Sequence, residues 1–300
     1  MASERLDVER SVRERYSKAA GARAAELCCP VDYDSRLLGV IPEEILERDY
    51  GCGDPTRHVR RGETVLDLGS GAGKACYMAA QLVGPTGRVI GIDLNDDMLA
   101  LSESYRRQVG DALGYHNVSF HKARIQDLAL DVRELERHLA QHPIRTVDEL
   151  DALELWKETR RRQTPLVADE SVDVVVSNCV LNLVRPEDKQ RLFREMHRVL
   201  RPTGRAVISD IVCDRDVPAD MQQDPDLWSG CISGAFRQDR FLRAFVDAGF
   251  SGTTVLRRND EAWRVVRGIE FRALTVEAFK NKETETTGGD RCCGAETDCC

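Results

Sequence analysis

No stretch of this 300-residue chain is long and apolar enough to cross a bilayer. The best apolar run, 172–184, is broken by Asp173, Ser177, Asn178 and Asn182. The opening residues, MASERLDVER, lack the apolar core of a secretory signal. The expectation is therefore a cytoplasmic protein with reduced thiols and no membrane partner. Positive charge is in deficit: 43 Lys and Arg face 51 Asp and Glu, a net charge of −8. That balance argues against a nucleic-acid partner, which requires clustered basic residues. There is no C-x-x-C and no Cys/His set at zinc-finger spacing, and His58, His116, His121, His138, His142 and His197 show no metal-binding pattern. No His/Asp dyad for acid–base chemistry stands out. What is abundant is cysteine. Eleven is an odd total, which does not read as a disulfide framework.

The hydrophobic fraction of 42% supports a real core, and the length suggests one large domain with appendages or two domains. Apolar spacing predicts an amphipathic helix over 6–27, ended by Pro30, and a short helix over 42–48. From Glu63 strands alternate with helices. Strands are expected over 64–68, 88–93, 118–121, 172–177 and 205–211, with helices over 73–82, 97–108 and 187–200. Such alternation means a parallel sheet covered on both faces. Residues 128–168 carry helical spacing and read as an inserted helical pair. The expected organisation is an N-terminal helical arm (1–55), a central α/β domain (56–212, with the insertion), a small α+β C-terminal part (213–280) and a tail (281–300). The tail is rich in Thr, Gly and Glu, reads as disordered, and ends in the pairs Cys292/Cys293 and Cys299/Cys300.

The segment VLDLGSGAGK, 65–74, follows a strand and opens a helix. In that context a glycine-rich loop is meaningful: Gly69, Gly71 and Gly73 permit close approach of a ligand, and the helix start offers free N–H groups. Asp93 ends the next strand, where a carboxylate can accept both hydroxyls of a ribose. Asp67 decides between ligands. An acid there repels a pyrophosphate but accepts from an ammonium, which favours S-adenosylmethionine over a dinucleotide. Together these features resemble the class I S-adenosylmethionine-dependent methyltransferases. The resemblance implies a Rossmann-like sheet, adenine-side contacts from Leu94, Met98, Ile125 and Gln126, and further contacts from Tyr50 and Asn178. Gln126 departs from the Glu commoner at its position.

Three cysteines sit in turns or at strand ends: Cys52 in YGCG, Cys179 in SNCVLNL and Cys231 in DPDLWSGCISGA. In an open parallel sheet the carboxyl ends of the strands face the ligand crevice, so Cys179 is aimed there by topology. Cys76 and Cys213 read as small buried hydrophobes. The three segments resemble local signatures of the arsenite methyltransferases, and the resemblance covers about 45–280. It implies that Cys52, Cys179 and Cys231 bind trivalent arsenic, with Cys28 or Cys29 as a loosely matched N-terminal thiol. It also implies a thiol-complexed arsenical as substrate and a reductant such as thioredoxin or glutathione. Soft trivalent arsenic prefers thiolates, and its lone pair can take the methyl group without a general base. Two alternatives remain at this point: a methyltransferase acting on another metalloid or an organic thiol, and a non-enzymatic thiol-rich metalloid-binding protein.

Overall fold

The computed structural model describes residues 6–22, 24 and 31–281; Cys28, Cys29 and the four cysteines after 281 lie outside the described residues. Five strands are laid down in parallel: β1 (Thr64–Leu68), β2 (Arg88–Asp93), β3 (Val118–Lys122), β4 (Val172–Asn178) and β5 (Leu200–Cys213). A two-residue strand β6 (Phe236–Arg237) adds beside β5. The segment expected as a separate small α+β part does not build its own sheet. Its strands β7 (Ser251–Arg258), β8 (Arg264–Val266) and β9 (Ile269–Phe279) join the main one, with β9 antiparallel to both β5 and β7. The order along the sheet is β3-β2-β1-β4-β5-β9-β7.

Helices cover both faces, as the apolar strands require. Along β1 the faces alternate: Val65 belongs to one core and Leu66 and Leu68 to the other. The first core packs under α4 (Lys74–Val83) and α5 (Asp96–Leu113), with Tyr77 and Met78 wholly buried. The second packs under α8 (Pro186–Val199) and α10 (Gln238–Asp247), where Phe193 meets Phe245 edge-to-face at 4.9 Å. Two helices, α6 (Val132–Gln141) and α7 (Val147–Gln163), occupy the insertion. They are fastened by Arg161 on Asp127 and Arg160 on Glu134, and Trp156 stacks on His138 at 4.2 Å.

Ahead of the sheet lie α1 (Val8–Gly21), α2 (Ser35–Leu38) and α3 (Glu43–Glu47). Asp7 caps α1 by accepting from Arg10 N–H. The helix stops at Gly21, earlier than its apolar spacing suggested. Arg48 donates to Ala20 O and the Tyr50 hydroxyl to Ala19 O, so tertiary partners satisfy its last carbonyls. A further short helix, α9 (Pro225–Ser229), sits beside α1. Among the described residues, no helix is long and apolar enough to cross a membrane.

Candidate active site

The strand order reverses between β1 and β4, which opens a crevice at their carboxyl ends. A cleft of about 1170 Å³, its open mouth included, occupies this place. Its walls come from the loop after β1, the end of β2, the loop after β3, the end of β4 and one side of α1.

Gly69 and Gly71 line the cleft, both with positive φ (72° and 51°). A Cβ on Gly69 would fall 2.4 Å from the Val180 side chain, so only glycine lets the loop pass the end of β4. Gly73 does not border the cleft. It starts α4 and faces Phe120 and Ser102, so its lack of a side chain serves packing rather than ligand contact.

Three carboxylates, Asp49, Asp67 and Asp93, border the same cleft. Burial pushes Asp67 up to about 7, against a hydrogen bond from the Cys76 thiol at 3.2 Å, and the charges of Asp49 and Asp93 add to the rise. Burial also raises Asp93, opposed by backbone N–H donors from Asn95 and Gly71, both at 2.8 Å. With Leu94 N–H as a further donor, the Asp93 carboxylate still keeps acceptor capacity for a ligand. Asp49 pairs with Lys74 at 2.5 Å, and the Lys74 ammonium lies 3.7 Å from the Tyr33 ring centroid. This excess of buried acid suits a cationic ligand that brings its own hydroxyls. Leu94, Met98, Ile125 and Gln126 supply the flat, largely apolar wall beyond Asp93.

Cys179 follows β4 and borders the cleft. Its backbone is left-handed, φ 64°, and so is that of Cys231, φ 61°. Left-handed geometry in a residue with a Cβ costs roughly 1–2 kcal/mol, so packing forces these two thiols into place. Cys231 follows α9, and its thiol donates to Cys179 O at 3.2 Å. The side chains interact in sequence, Tyr16 with Cys231, Cys231 with Cys179 and Cys179 with Cys52, and the Cys52 and Cys179 sulfurs lie within 4.8 Å of each other. The bond from Cys231 favours the Cys179 thiolate, but donation to Cys52 and burial outweigh it and hold Cys179 protonated well above the ordinary range. Cys231 is pushed up chiefly by its bond to Cys179 and by burial.

The loop carrying Cys52 is pinned by Asn178. Its Oδ1 accepts from Cys52 N at 2.9 Å and Gly53 N at 3.1 Å, while its Nδ2 donates to Gly53 O at 2.7 Å. Asn178, expected as a cofactor contact, thus touches the cleft but spends its amide on the thiol loop. Tyr50 also borders the cleft, with its hydroxyl bound to Ala19 O and Ala24 N.

Several members of the site have no motif to announce them. Helix α1 roofs the cleft with Glu9, Val12, Arg13 and Tyr16. Glu9 grips Arg124 through two contacts at 3.1 Å, and Asn95 donates to Arg13 O and Ser17 Oγ, each at 3.1 Å. Arg15 reaches α9 through Asp226 O and Ser229 Oγ. Beneath the sulfurs lies Asp210, wholly buried on β5. Burial pushes its carboxyl up to about 6, opposed by donors from Ile211 and Leu181 and by the Lys189 charge. An acid inside the run ISDIVC, 208–213, was the available signal for it.

A family model described as a methyltransferase domain matches residues 60–137 and 159–249. The gap between them falls in α6 and α7. An arsenite methyltransferase of Halobacterium salinarum is 39% identical over 239 residues, covering 77% of this chain and 50% of that protein. One of Aquipseudomonas alcaligenes is 36% identical over 215 residues, covering 72% and 52%. The chain spans about half the length of these curated relatives. Among solved structures, an arsenic(III) S-adenosylmethionine methyltransferase from Chlamydomonas reinhardtii is 28% identical with a TM-score of 0.64, covering 85% of this chain and 76% of that one. With the glycine loop, the acidic cleft and this sheet order beneath that family match, the chain belongs to the methyltransferase-domain family.

Proposed function

We propose that this protein transfers a methyl group from S-adenosylmethionine to trivalent arsenic held by Cys52, Cys179 and Cys231. One observation carries the reading. Three thiols from remote segments gather at one place: the Cys52 and Cys179 sulfurs lie within 4.8 Å of each other, the Cys231 thiol donates to Cys179 O at 3.2 Å, and Cys179 borders the cleft. The arsenite methyltransferases to which the chain is similar support the choice of metalloid.

The cleft fits the donor. Asp67 and Asp49 suit its ammonium, Asp93 its ribose hydroxyls, and the wall from Leu94 to Gln126 its adenine. When bound, S-adenosylmethionine supplies an electrophilic methyl on a sulfonium, with a neutral thioether as leaving group. Everything else falls to the chain. The thiols exchange their protons for bonds to arsenic and leave its lone pair free. The loop before β4's partner, pinned by Asn178, and the forced backbones of Cys179 and Cys231 fix where that lone pair points. Productive transfer needs the reacting atoms about 3–3.5 Å apart and aligned. Helix α1 excludes water from above. Arsenic gives up two electrons as its new bond to carbon forms, so a thiol reductant of the thioredoxin or glutathione kind returns the product to the trivalent state.

The test is incubation of the protein with methyl-labelled S-adenosylmethionine, glutathione and arsenite. Label is expected on arsenic, and Cys52→Ser, Cys179→Ser and Cys231→Ser should each abolish it without weakening S-adenosylmethionine binding. Normal donor binding with no label on arsenic refutes the reading.

A further inference from the structure

The cluster around Cys179 is not made of sulfur alone. A carboxylate oxygen of Asp210 and the sulfurs of Cys52 and Cys179 all lie within 4.8 Å of one another. Cys231 is next to this group, its thiol donating to Cys179 O at 3.2 Å. Three donors from three segments therefore converge, from the loop after Tyr50, the end of β4, and β5, and the Cys231 thiol on the turn after α9 stands beside them.

Asp210 is held as a ligand would be. Leu181 N donates to its Oδ2 at 2.9 Å, while Asn182 Nδ2 and Ile211 N donate to its Oδ1 at 2.8 and 2.7 Å. Such outer contacts orient a coordinating carboxylate, and Oδ2, with one donor, retains acceptor capacity. Positive charge stands nearby. The Lys189 ammonium lies 4.0 Å from the Phe236 ring centroid, donates to Gly234 O, and is coupled electrostatically to Asp210 and Cys231.

Trivalent arsenic has no use for the carboxylate, because three thiolates and a lone pair complete its shell. A borderline-soft divalent cation does: it takes four donors in a tetrahedron and accepts sulfur with oxygen. Zinc–sulfur and zinc–oxygen bonds of about 2.3 and 2.1 Å place such donors roughly 3.5–3.8 Å apart, within reach of the 4.8 Å that bounds the separations of Cys52, Cys179 and Asp210.

We infer that Cys52, Cys179 and Asp210 form a site for a divalent cation of the zinc class, with the neighbouring Cys231 closing in as fourth donor, and that the cation occupies the thiols and excludes a metalloid from them. The inference rests on the cluster and not on methyl transfer. As each zinc–sulfur bond forms, that thiol releases its proton to solvent, and no electrons change hands. A cation here fills the lone pair's place with a fourth bond, so the loaded protein is a blocked one.

The test uses the full reduced chain with Cys28, Cys29, Cys292, Cys293, Cys299 and Cys300 changed to Ser, so that thiols outside the cluster do not compete. Zinc alone is titrated against a chromophoric chelator. One zinc per chain is expected, displaced by arsenite. Affinity should fall at least about tenfold in Cys179→Ser and in Asp210→Asn. Because Asp210→Asn can disturb the turn it holds, X-ray absorption on the zinc-loaded parent protein supplies an independent readout: three sulfurs and one oxygen. Absence of tight zinc binding, affinity indifferent to Cys179→Ser, or a shell without that oxygen overturns the inference. Arsenite labelling measured without zinc reports separately on the methyltransferase reading.

Discussion

Replacing Asn178 with Ala separates two roles that one side chain could play. Its amide satisfies three backbone groups of the Cys52–Gly53 turn, and Gly51 lies so close that a Cβ there would sit 2.2 Å from Asn178 Nδ2. A buried polar group left without a partner costs roughly 1–3 kcal/mol. Three such groups set an upper bound near 9 kcal/mol, but the turn can lift and hydrate some of them. The expected loss of unfolding free energy is about 2–4 kcal/mol, read from urea transitions with an unchanged m-value. The same movement withdraws Cys52 from Cys179, so three-thiol arsenite binding should collapse to the weaker hold of two. Calorimetry should find S-adenosylmethionine affinity within about threefold of wild type, because no bond to the donor is removed in this account. A variant that keeps its stability and its arsenite affinity but loses the donor refutes the reasoning and makes Asn178 a cofactor contact.

The buried carboxyl of Asp67, titrating near 7, ties donor binding to pH. Affinity for the cationic donor should rise with pH up to about 7 by as much as tenfold per unit, then level off; Asp67→Asn should flatten the profile. The same shift acts on folding. A carboxyl whose folded pKa is raised binds a proton more tightly than in the unfolded chain, so its contribution to stability falls as pH rises from about 4 to about 7. A urea series in the Asp67→Asn background should lack that decline. Loosening the roof with Glu9→Gln removes the grip on Arg124, a partly exposed pair worth about 0.2–1 kcal/mol. Stopped-flow release of S-adenosylhomocysteine should speed up by about 1.4–5-fold, and an unchanged rate would show that α1 does not gate the cleft. At position 179, Gly should give a more stable protein than Ala by about 1 kcal/mol, the reverse of the usual order, because φ is 64° there. Ala more stable than Gly would refute the claim of forced geometry.

The glycine loop, Asp93 and the alternating elements were legible because each is a local pattern with its own physical reason. The thiols were legible singly, as cysteines beside glycine or at a strand end, and the prediction that Cys179 faces the crevice needed only sheet topology. The roof was not legible. An amphipathic helix declares that it has a buried stripe, but not which surface covers it, so nothing near Glu9 or Tyr16 pointed to Arg124 or Cys231. Its end was misjudged because Arg48 and Tyr50 cap it from far along the chain. The strands after 213 show the right periodicity without showing which edge they pair with, so their merger into the main sheet could not be read. Gly73 was expected at the ligand from the glycine loop and Asn178 from the resemblance; Gly73 packs under Phe120, while Asn178 borders the cleft with its amide spent on the thiol turn.

Because the sulfurs reside on separate turns at one end of the sheet, they are neighbours only while the whole chain is native. Unfolding scatters them, and an extended polypeptide offers nothing comparable to an atom that wants all three. Whatever these sulfurs grasp together therefore behaves as a reversible staple. At a hundredfold excess over its dissociation constant it adds about 2.7 kcal/mol to the native state, so heat resistance should track that ligand's concentration.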